Sequence, residues 1–338
     1  YCGDEDGTLR SFMATYEALF YSCLFLLGVV GNGLMVTVLL SRWRLLRVSE
    51  IYLLHLAVSD LLLLATFPFS ILESITGWLF GDFSCKLTGL ARQLNFLCGS
   101  FLLACIAIDR YLAIVHAISS LQHRRQRSVH LTCLSLWLVC FSMSVPNLVF
   151  LTATDSTHAS RTSCSFYNYG IHAHNWVLAT RALEHAVFFL SLVIMAYCYS
   201  TVVVTLVKSP RGPTQQGAIR LALLITLVFC VCWLPYNIAS VLRTVDDLRT
   251  VDDLNRGVRN CESNLLLQAA LGVTKSLGFS HCCLNPFLYA FVGVRFRNDL
   301  LHLLSKLGCG CGCPQRLMKT QFNKAALDSH RSSSCTAF

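Results

Sequence analysis

An all-α fold, a seven-transmembrane helix bundle with an amphipathic eighth helix on the inner membrane surface, is predicted by three features of this chain. Charged residues are 13% of the 338 and apolar residues 54%, with a mean hydropathy of +0.56, far from a soluble globular balance. The apolar residues gather into seven runs; about 20 helical residues are enough to cross ~30 Å of hydrocarbon. Lysine and arginine collect in alternate connections between the runs, the bias that fixes orientation in a membrane.

The first run, near 18–41, carries Gly31-Asn32, and the second, near 51–76, carries Asp60 and Pro68. The third, near 86–115, opens at Cys85, contains Asn95 and closes on Asp109-Arg110-Tyr111. The fourth, near 129–151, holds Trp137 and Pro146; the fifth, near 177–207, holds Tyr199. The sixth, near 218–242, contains Phe229-Cys230-Val231-Cys232-Trp233-Leu234-Pro235-Tyr236, and the seventh, near 265–291, contains Asn285-Pro286-Phe287-Leu288-Tyr289. Prolines are tolerated in membrane helices because neighbouring helices and water re-satisfy the backbone. The basic, amphipathic stretch from Arg295 to Leu304 is expected to lie on the inner membrane surface. The expected division is an outer tail over 1–17, a membrane domain over 18–293, and the amphipathic helix with an inner tail over 294–338.

Arg42, Arg44 and Arg47 fall between runs one and two, Arg124, Arg125 and Arg127 between three and four, and Lys208 and Arg211 between five and six. Arg295, Arg297 and Lys306 follow run seven, whereas Asp4-Glu5-Asp6 and Asp246, Asp247, Asp252 and Asp253 fall on the other side. The N-terminus is therefore expected outside and the C-terminus inside, in a multi-pass protein of the plasma membrane. The net charge of +9 is then positive-inside bias and attraction to anionic lipid, and calls for no nucleic-acid partner. The chain opens without a methionine, and Tyr1-Cys2-Gly3 reads as the remainder of a longer tail; the first run can itself serve as the targeting signal.

Cysteines sort by side. Cys2, Cys85, Cys164 and Cys261 are the ones placed on the oxidising face, and four cysteines allow three pairings. Cys309, Cys311 and Cys313 follow the amphipathic stretch and suit palmitoylation; their alternation is too tight for a zinc finger, so no transition-metal site is expected.

A carboxylate and a guanidinium at the inner end of a membrane helix are costly and mark function. The pair Asp109-Arg110 reads as a switch that holds a bundle closed and exposes the arginine when it breaks. Asn32, Asp60, Asn95 and Asn285 fall well inside four different runs, a polar centre that could take a sodium ion or simply tie helices together by hydrogen bonds. Pro235 and Pro286 each remove a helix hydrogen bond, so the segments beyond them can swing. Exposed hydroxyls from Ser329 to Thr336 beside Arg331 are candidate phosphorylation sites.

Gly31-Asn32, Leu56-Ala57-Val58-Ser59-Asp60, Asp109-Arg110-Tyr111, Trp137, Cys232-Trp233-Leu234-Pro235 and Asn285-Pro286 through Tyr289 together resemble the rhodopsin-like G-protein-coupled receptors. Asp109 through Ala117, Thr66-Phe67-Pro68, Trp78 through Gly81, and His281-Cys282-Cys283-Leu284-Asn285-Pro286 resemble chemokine receptors, and His123-Arg124-Arg125 with Phe296 through Cys309 resembles the CXC class. The resemblance implies the disulfides Cys85–Cys164 and Cys2–Cys261. It also implies a receptor that is not an enzyme, needs no cofactor beyond a possible sodium ion near Asp60, and directs leukocyte chemotaxis.

Under that resemblance a basic CXC chemokine would meet the acidic tail at Tyr1, Asp4, Glu5 and Asp6. Its flexible end would enter the bundle near Glu73, Trp78, Arg92, Glu184 and Lys275. Asp109, Arg110, Tyr111, Tyr199, Phe229, Trp233, Pro235, Asn285, Pro286 and Tyr289 would carry the change to a heterotrimeric G protein of the inhibitory class. Arrestin and receptor kinases would meet the C-terminal tail. The alternatives are a scavenging receptor that does not signal and, in another class, a transporter or channel; no repeat relates the two halves as the latter would lead one to expect.

Four departures from the family pattern stand out. Ser191 replaces a proline of the fifth span, Gly99 replaces a hydroxyl beside the polar centre, and Lys275 replaces a glutamate. Lys275 is expected to be neutralised by Glu73. Finally, Arg243-Thr244-Val245-Asp246-Asp247-Leu248 is repeated at once as Arg249 to Leu254, which is expected to lengthen a loop by six residues.

Overall fold

The apolar runs fold as helices because a helix satisfies its own backbone groups where no water can do so. The computed structural model describes residues 5–116, 126–155, 162–166, 171–209, 213–252 and 261–308. Helix α1 (Glu5–Leu40) starts earlier than expected, so Glu5 and Asp6 belong to a helix rather than a tail. The second span is broken into α2 (Val48–Leu64) and α3 (Phe67–Thr76). Pro68 has no N–H to continue the ladder, and Thr66 closes the break by donating to the Leu63 carbonyl at 2.7 Å. Gly77 and Gly81, with φ of 85° and 72°, turn the chain from α3 into α4 (Gly81–Ile114) at backbone angles that favour glycine.

After α5 (Gln126–Phe150), a region read from sequence as plain loop forms an antiparallel hairpin, β1 (Leu151–Asp155) with β2 (Thr162–Phe166), in which Ala153 faces Cys164. Helix α6 (Ile171–Lys208) runs unbroken through Ser191, so the local bulge associated with a proline there is absent. Helix α7 (Pro213–Asp252) contains Pro235 and continues ten residues past the expected end at 242. Its extension corrects the reading of the repeat: Arg243 to Asp252 prolongs a helix instead of a loop, in keeping with a segment free of glycine and proline. Helix α8 (Cys261–Val292) is the last of the bundle.

Five helices and the broken α2–α3 span are each long and apolar enough to cross a membrane, and Leu266–Phe291 supplies a seventh span when counted with the segment after it. Helix α4 packs against α2, α5, α6 and β1, while α8 packs on α7 and α1. Large apolar side chains turn outward as well: Leu138 is 61% exposed, Leu190 61% and Val193 64%. Buried Asp60, Asn95 and Asn285 lie inside the bundle. Apolar outside and polar within is the pattern for a lipid solvent, and the chain is a multi-pass helical membrane protein.

Residues from Arg295 onward form a separate unit, described in itself as α9 (Val294–Gly308). Its Phe296, Leu300 and Leu303 recur at helical spacing, which puts them on one face.

Candidate functional site

At the end of the bundle carrying the hairpin, a cavity of about 480 Å3 opens between α1, α3, α4, α6, α7 and α8. Glu17, Glu73, Arg92, Arg181, Arg243 and Lys275 all face it. A disulfide from Cys85 to Cys164, with Cα atoms 5.5 Å apart, staples the hairpin to the start of α4. The hairpin in turn fixes Glu73, whose Oε1 accepts the Cys164 N–H at 3.1 Å. Arg92 donates from Nη2 to Ser70 Oγ at 2.6 Å, but its buried Nε has no hydrogen-bond partner. The Lys275 ammonium lies over the Phe279 ring, 5.8 Å from its centre. The expected Lys275–Glu73 ion pair is not formed; the carboxylate is held by the hairpin instead.

Trp78 is a second correction. It does not line the cavity but is buried beneath the hairpin, packed with Cys85 and Leu151. Its backbone N–H reaches the Thr162 carbonyl at 2.7 Å and its indole N–H the Gly81 carbonyl at 2.8 Å. Glu184 is half-buried on α6, outside the described cavity wall. Glu17, Arg181 and Arg243 line the wall without having been anticipated.

Below the cavity, Trp233 sits among Phe96, Phe279 and His281, at ring separations of 4.8, 5.7 and 5.8 Å. Gly278 permits this approach, since a Cβ there would stand 2.8 Å from the indole. Pro235 lies two residues further along α7, and the Asn237 amide donates to the Trp233 carbonyl at 3.0 Å, tying down the backbone beside the proline.

Next comes the polar centre. Asp60 accepts from Asn95 Nδ2 through Oδ1 and from Asn285 Nδ2 through Oδ2, both at 3.0 Å. His281 was not anticipated here: its Nε2 stands 3.4 Å from Asp60 Oδ1 with both side chains fully buried. Its position four residues before Asn285 puts the two on one helix face, which was the available signal. His281 Nδ1 lies 2.7 Å from the Gly278 carbonyl, which can only accept, so that nitrogen carries a proton.

Asn32 ties two helices together, one of the two roles expected of it. Pro286 cannot donate to the carbonyl four residues back, and Asn32 Nδ2 supplies the missing donor to Cys282 O at 2.8 Å, joining α1 to α8. The side-chain oxygens of Asn32, Asn95 and Asn285 are buried without hydrogen-bond partners. Together with the Asp60 carboxylate they are hard oxygen donors of the kind a small cation such as sodium takes. Gly99 adds no hydroxyl, and the Phe229 ring occupies the space, 2.9 Å from where a Cβ would be.

At the far end, Arg110 Nε donates to Asp109 Oδ2 at 3.1 Å, so the two charges are paired on the helix that carries them. Beside them Ile114, Val202 and Ile219 form a buried cluster joining α4, α6 and α7, with Tyr111 and Leu223 packed against it. The Tyr199 hydroxyl meets Thr226 at 3.3 Å, and Tyr289 is buried.

Tyr1, Cys2, Asp4, Cys309, Cys311 and Cys313 lie outside the described residues, as does the expected Cys2 bridge to Cys261; Cys261 itself opens α8.

Residues 31–289 match the family described as 7 transmembrane receptor (rhodopsin family). The C-X-C chemokine receptor type 5 of Homo sapiens is 42% identical over 343 positions, covering 100% of this chain and 90% of that protein. Type 5 of Rattus norvegicus is 40% identical with the same coverage. The C-X-C chemokine receptor type 3 of Homo sapiens is 40% identical over 306 positions, 90% of this chain and 80% of that one.

Proposed function

Because the chain belongs to the rhodopsin family of seven-transmembrane receptors, and within it to the C-X-C chemokine receptors, we propose that it binds a CXC chemokine outside the cell and activates an inhibitory-class heterotrimeric G protein inside, directing leukocyte chemotaxis. The receptor catalyses no covalent chemistry; it is a plasma-membrane protein that converts binding at one end into exposure of a surface at the other. The N-terminus faces outward and the C-terminus inward, in keeping with the basic connections.

One observation carries the reading. Lys275, Phe279, Trp233, His281 and Asp60 form a contiguous chain of contacts from the cavity to the polar centre, and Pro235 lies two residues from Trp233, beside its middle. A ligand in the cavity can act only through contacts that differ between two states. Displacing Phe279 or Trp233 would be such a difference, because closely packed rings have discrete arrangements rather than a continuum. A swing of α7 about Pro235 would then part Ile219 from Ile114 and Val202 and release Arg110 from Asp109 to meet the G protein.

The basic chemokine body would be steered by Tyr1, Asp4, Glu5 and Asp6, with its flexible end in the cavity near Glu73, Arg92, Glu184 and Lys275. Sodium, if bound, would be held by Asp60, Asn95 and Asn285 and would supply a positive charge opposite the carboxylate. Helix α9 would lie on the inner surface, with Cys309, Cys311 and Cys313 as lipidation sites and the following tail as the substrate of receptor kinases and the docking site of arrestin.

The test is G-protein activation in cells expressing the chain, read against a panel of chemokines. At least one CXC chemokine should activate; a chemokine that binds and is internalised without nucleotide exchange would make the chain a scavenger, and a silent panel would remove the ligand class.

A further inference from the structure

Building on the proposed role of the cavity, we propose that the ligand segment seated in it presents an anionic group, a carboxylate or sulfate, to a positive pole formed by Lys275 and Arg92. Two independent features support this. The wall carries four cationic side chains, Arg92, Arg181, Arg243 and Lys275, against two carboxylates, Glu17 and Glu73. And the charges at the pole lack a direct acid partner. Arg92 donates only to the neutral Ser70 hydroxyl, and its Nε is buried without a partner. Lys275 has the face of Phe279 and, among the described residues, no acid in salt-bridge contact.

The acids in the wall do not cancel the pole. Glu73, the nearest candidate by sequence reading, has its Oε1 on the Cys164 N–H, and the Cys85–Cys164 bridge anchors the hairpin that supplies it. Glu17 comes from α1, and Glu184 on α6 is a further carboxylate whose field reaches Lys275, but among the described residues neither is in salt-bridge contact with it. An ionised group inside a bundle is retained when something supplies its counter-charge; here Glu17, Glu73 and Glu184 act on Lys275 without direct contact, and an occupant can supply that contact. A carboxylate or sulfate can accept from the arginine fork and the ammonium together, as charge-assisted hydrogen bonds. The acidic tail and the cationic pole would then select opposite ends of one ligand: a basic body outside and an acidic tip within. Lys275 also touches Phe279, the first ring of the contact chain, so an anion there would pull directly on the element that leads to Trp233.

Two measurements on the full chain in membranes test this. In the first, Leu271→Cys places a thiol on the cavity wall one helical turn from Lys275. Its labelling rate is compared for the anionic 2-sulfonatoethyl and the cationic 2-(trimethylammonium)ethyl methanethiosulfonates, with the parent chain as background. A pole of this sign should favour the anionic reagent by roughly tenfold relative to a free thiol, and Lys275→Gln should remove most of that preference. A preference for the cationic reagent, or one unmoved by Lys275→Gln, overturns the assignment. This arm needs no chemokine, so it is separable from failure of the proposed function.

In the second, each chemokine that activates the receptor is remade with the acidic residues of its flexible end replaced by the matching amides. Potency should fall by tenfold or more at the parent receptor and by much less at Lys275→Gln. Equal potency of acid and amide forms at the parent receptor overturns the proposal even where the labelling preference is seen.

Discussion

Asp60 and Lys275 are both ionisable side chains inside the bundle, and their surroundings could hardly differ more. Asp60 accepts from Asn95 and Asn285, faces His281, and is wholly buried. Lys275 looks into a cavity with an aromatic face for company. A buried carboxylate that accepts from two buried amides behaves as part of the framework, because removing it strands both donors. A charge left short of partners contributes little to the framework and is available to a ligand. Under the proposed function, the contrast separates what holds the receptor together from what would read its agonist.

The largest effect should follow from breaking the satisfied site. Asp60→Leu leaves the Asn95 and Asn285 amides without their acceptor, and removal of one member of a buried charged network costs about 3–5 kcal/mol. The thermal midpoint of the detergent-solubilised receptor should drop accordingly. A midpoint unchanged from the parent would mean that Asp60 is not the framework charge described here.

Cys85→Ser comes next. It frees the hairpin, and loss of a native disulfide costs about 2–5 kcal/mol. The Cys164 N–H would no longer be held against Glu73, so the carboxylate could approach Lys275 and compete with an acidic ligand tip. Surface expression and agonist binding should both fall, and by more than in Cys2→Ser; peptide mapping without reduction that found Cys85 and Cys164 as free thiols would remove the basis for this.

Asn32→Ala should cost less, about 1–3 kcal/mol, because it leaves one buried carbonyl, that of Cys282, without a donor. The loss should show as a lower midpoint with little change in ligand affinity. The smallest stability effect belongs to Lys275→Gln, within about 0.5 kcal/mol of the parent or slightly stabilising, since it relieves an incompletely matched charge. A large destabilisation there would show that Lys275 is framework after all and erase the contrast.

What was legible in the sequence was whatever a helix carries along its own length. The spans, the prolines, the Asp109–Arg110 pair and the membership of Asp60, Asn95 and Asn285 in one centre all follow from position along a run. What was missed depends on contacts between segments. The hairpin pairs two five-residue stretches whose individual signals are slight, and it draws Trp78 beneath it and gives Glu73 a backbone N–H to accept from. The role of Asn32 depends on a proline 254 positions later in the chain, so nothing near Asn32 announces it. His281 is the exception, because its spacing from Asn285 placed it at the centre in plain view. The repeat at Arg243 was misread for a local reason: duplication suggested a loop, while its composition, without glycine or proline, allowed a helix.

The central claim is that the cavity and the Arg110 end are coupled, and linkage gives it a direct measurement. If the agonist shifts the bundle toward a state that the G protein prefers, the G protein must raise agonist affinity by the same factor. Agonist binding is therefore measured on receptor in membranes with and without nucleotide-free inhibitory-class G protein, for the parent chain and for Arg110→Ala. The parent should bind agonist several-fold more tightly when the G protein is present, and Arg110→Ala should keep the basal affinity while losing the increase and the nucleotide exchange. Equal affinity with and without G protein in the parent, or an undiminished increase in Arg110→Ala, would contradict the account.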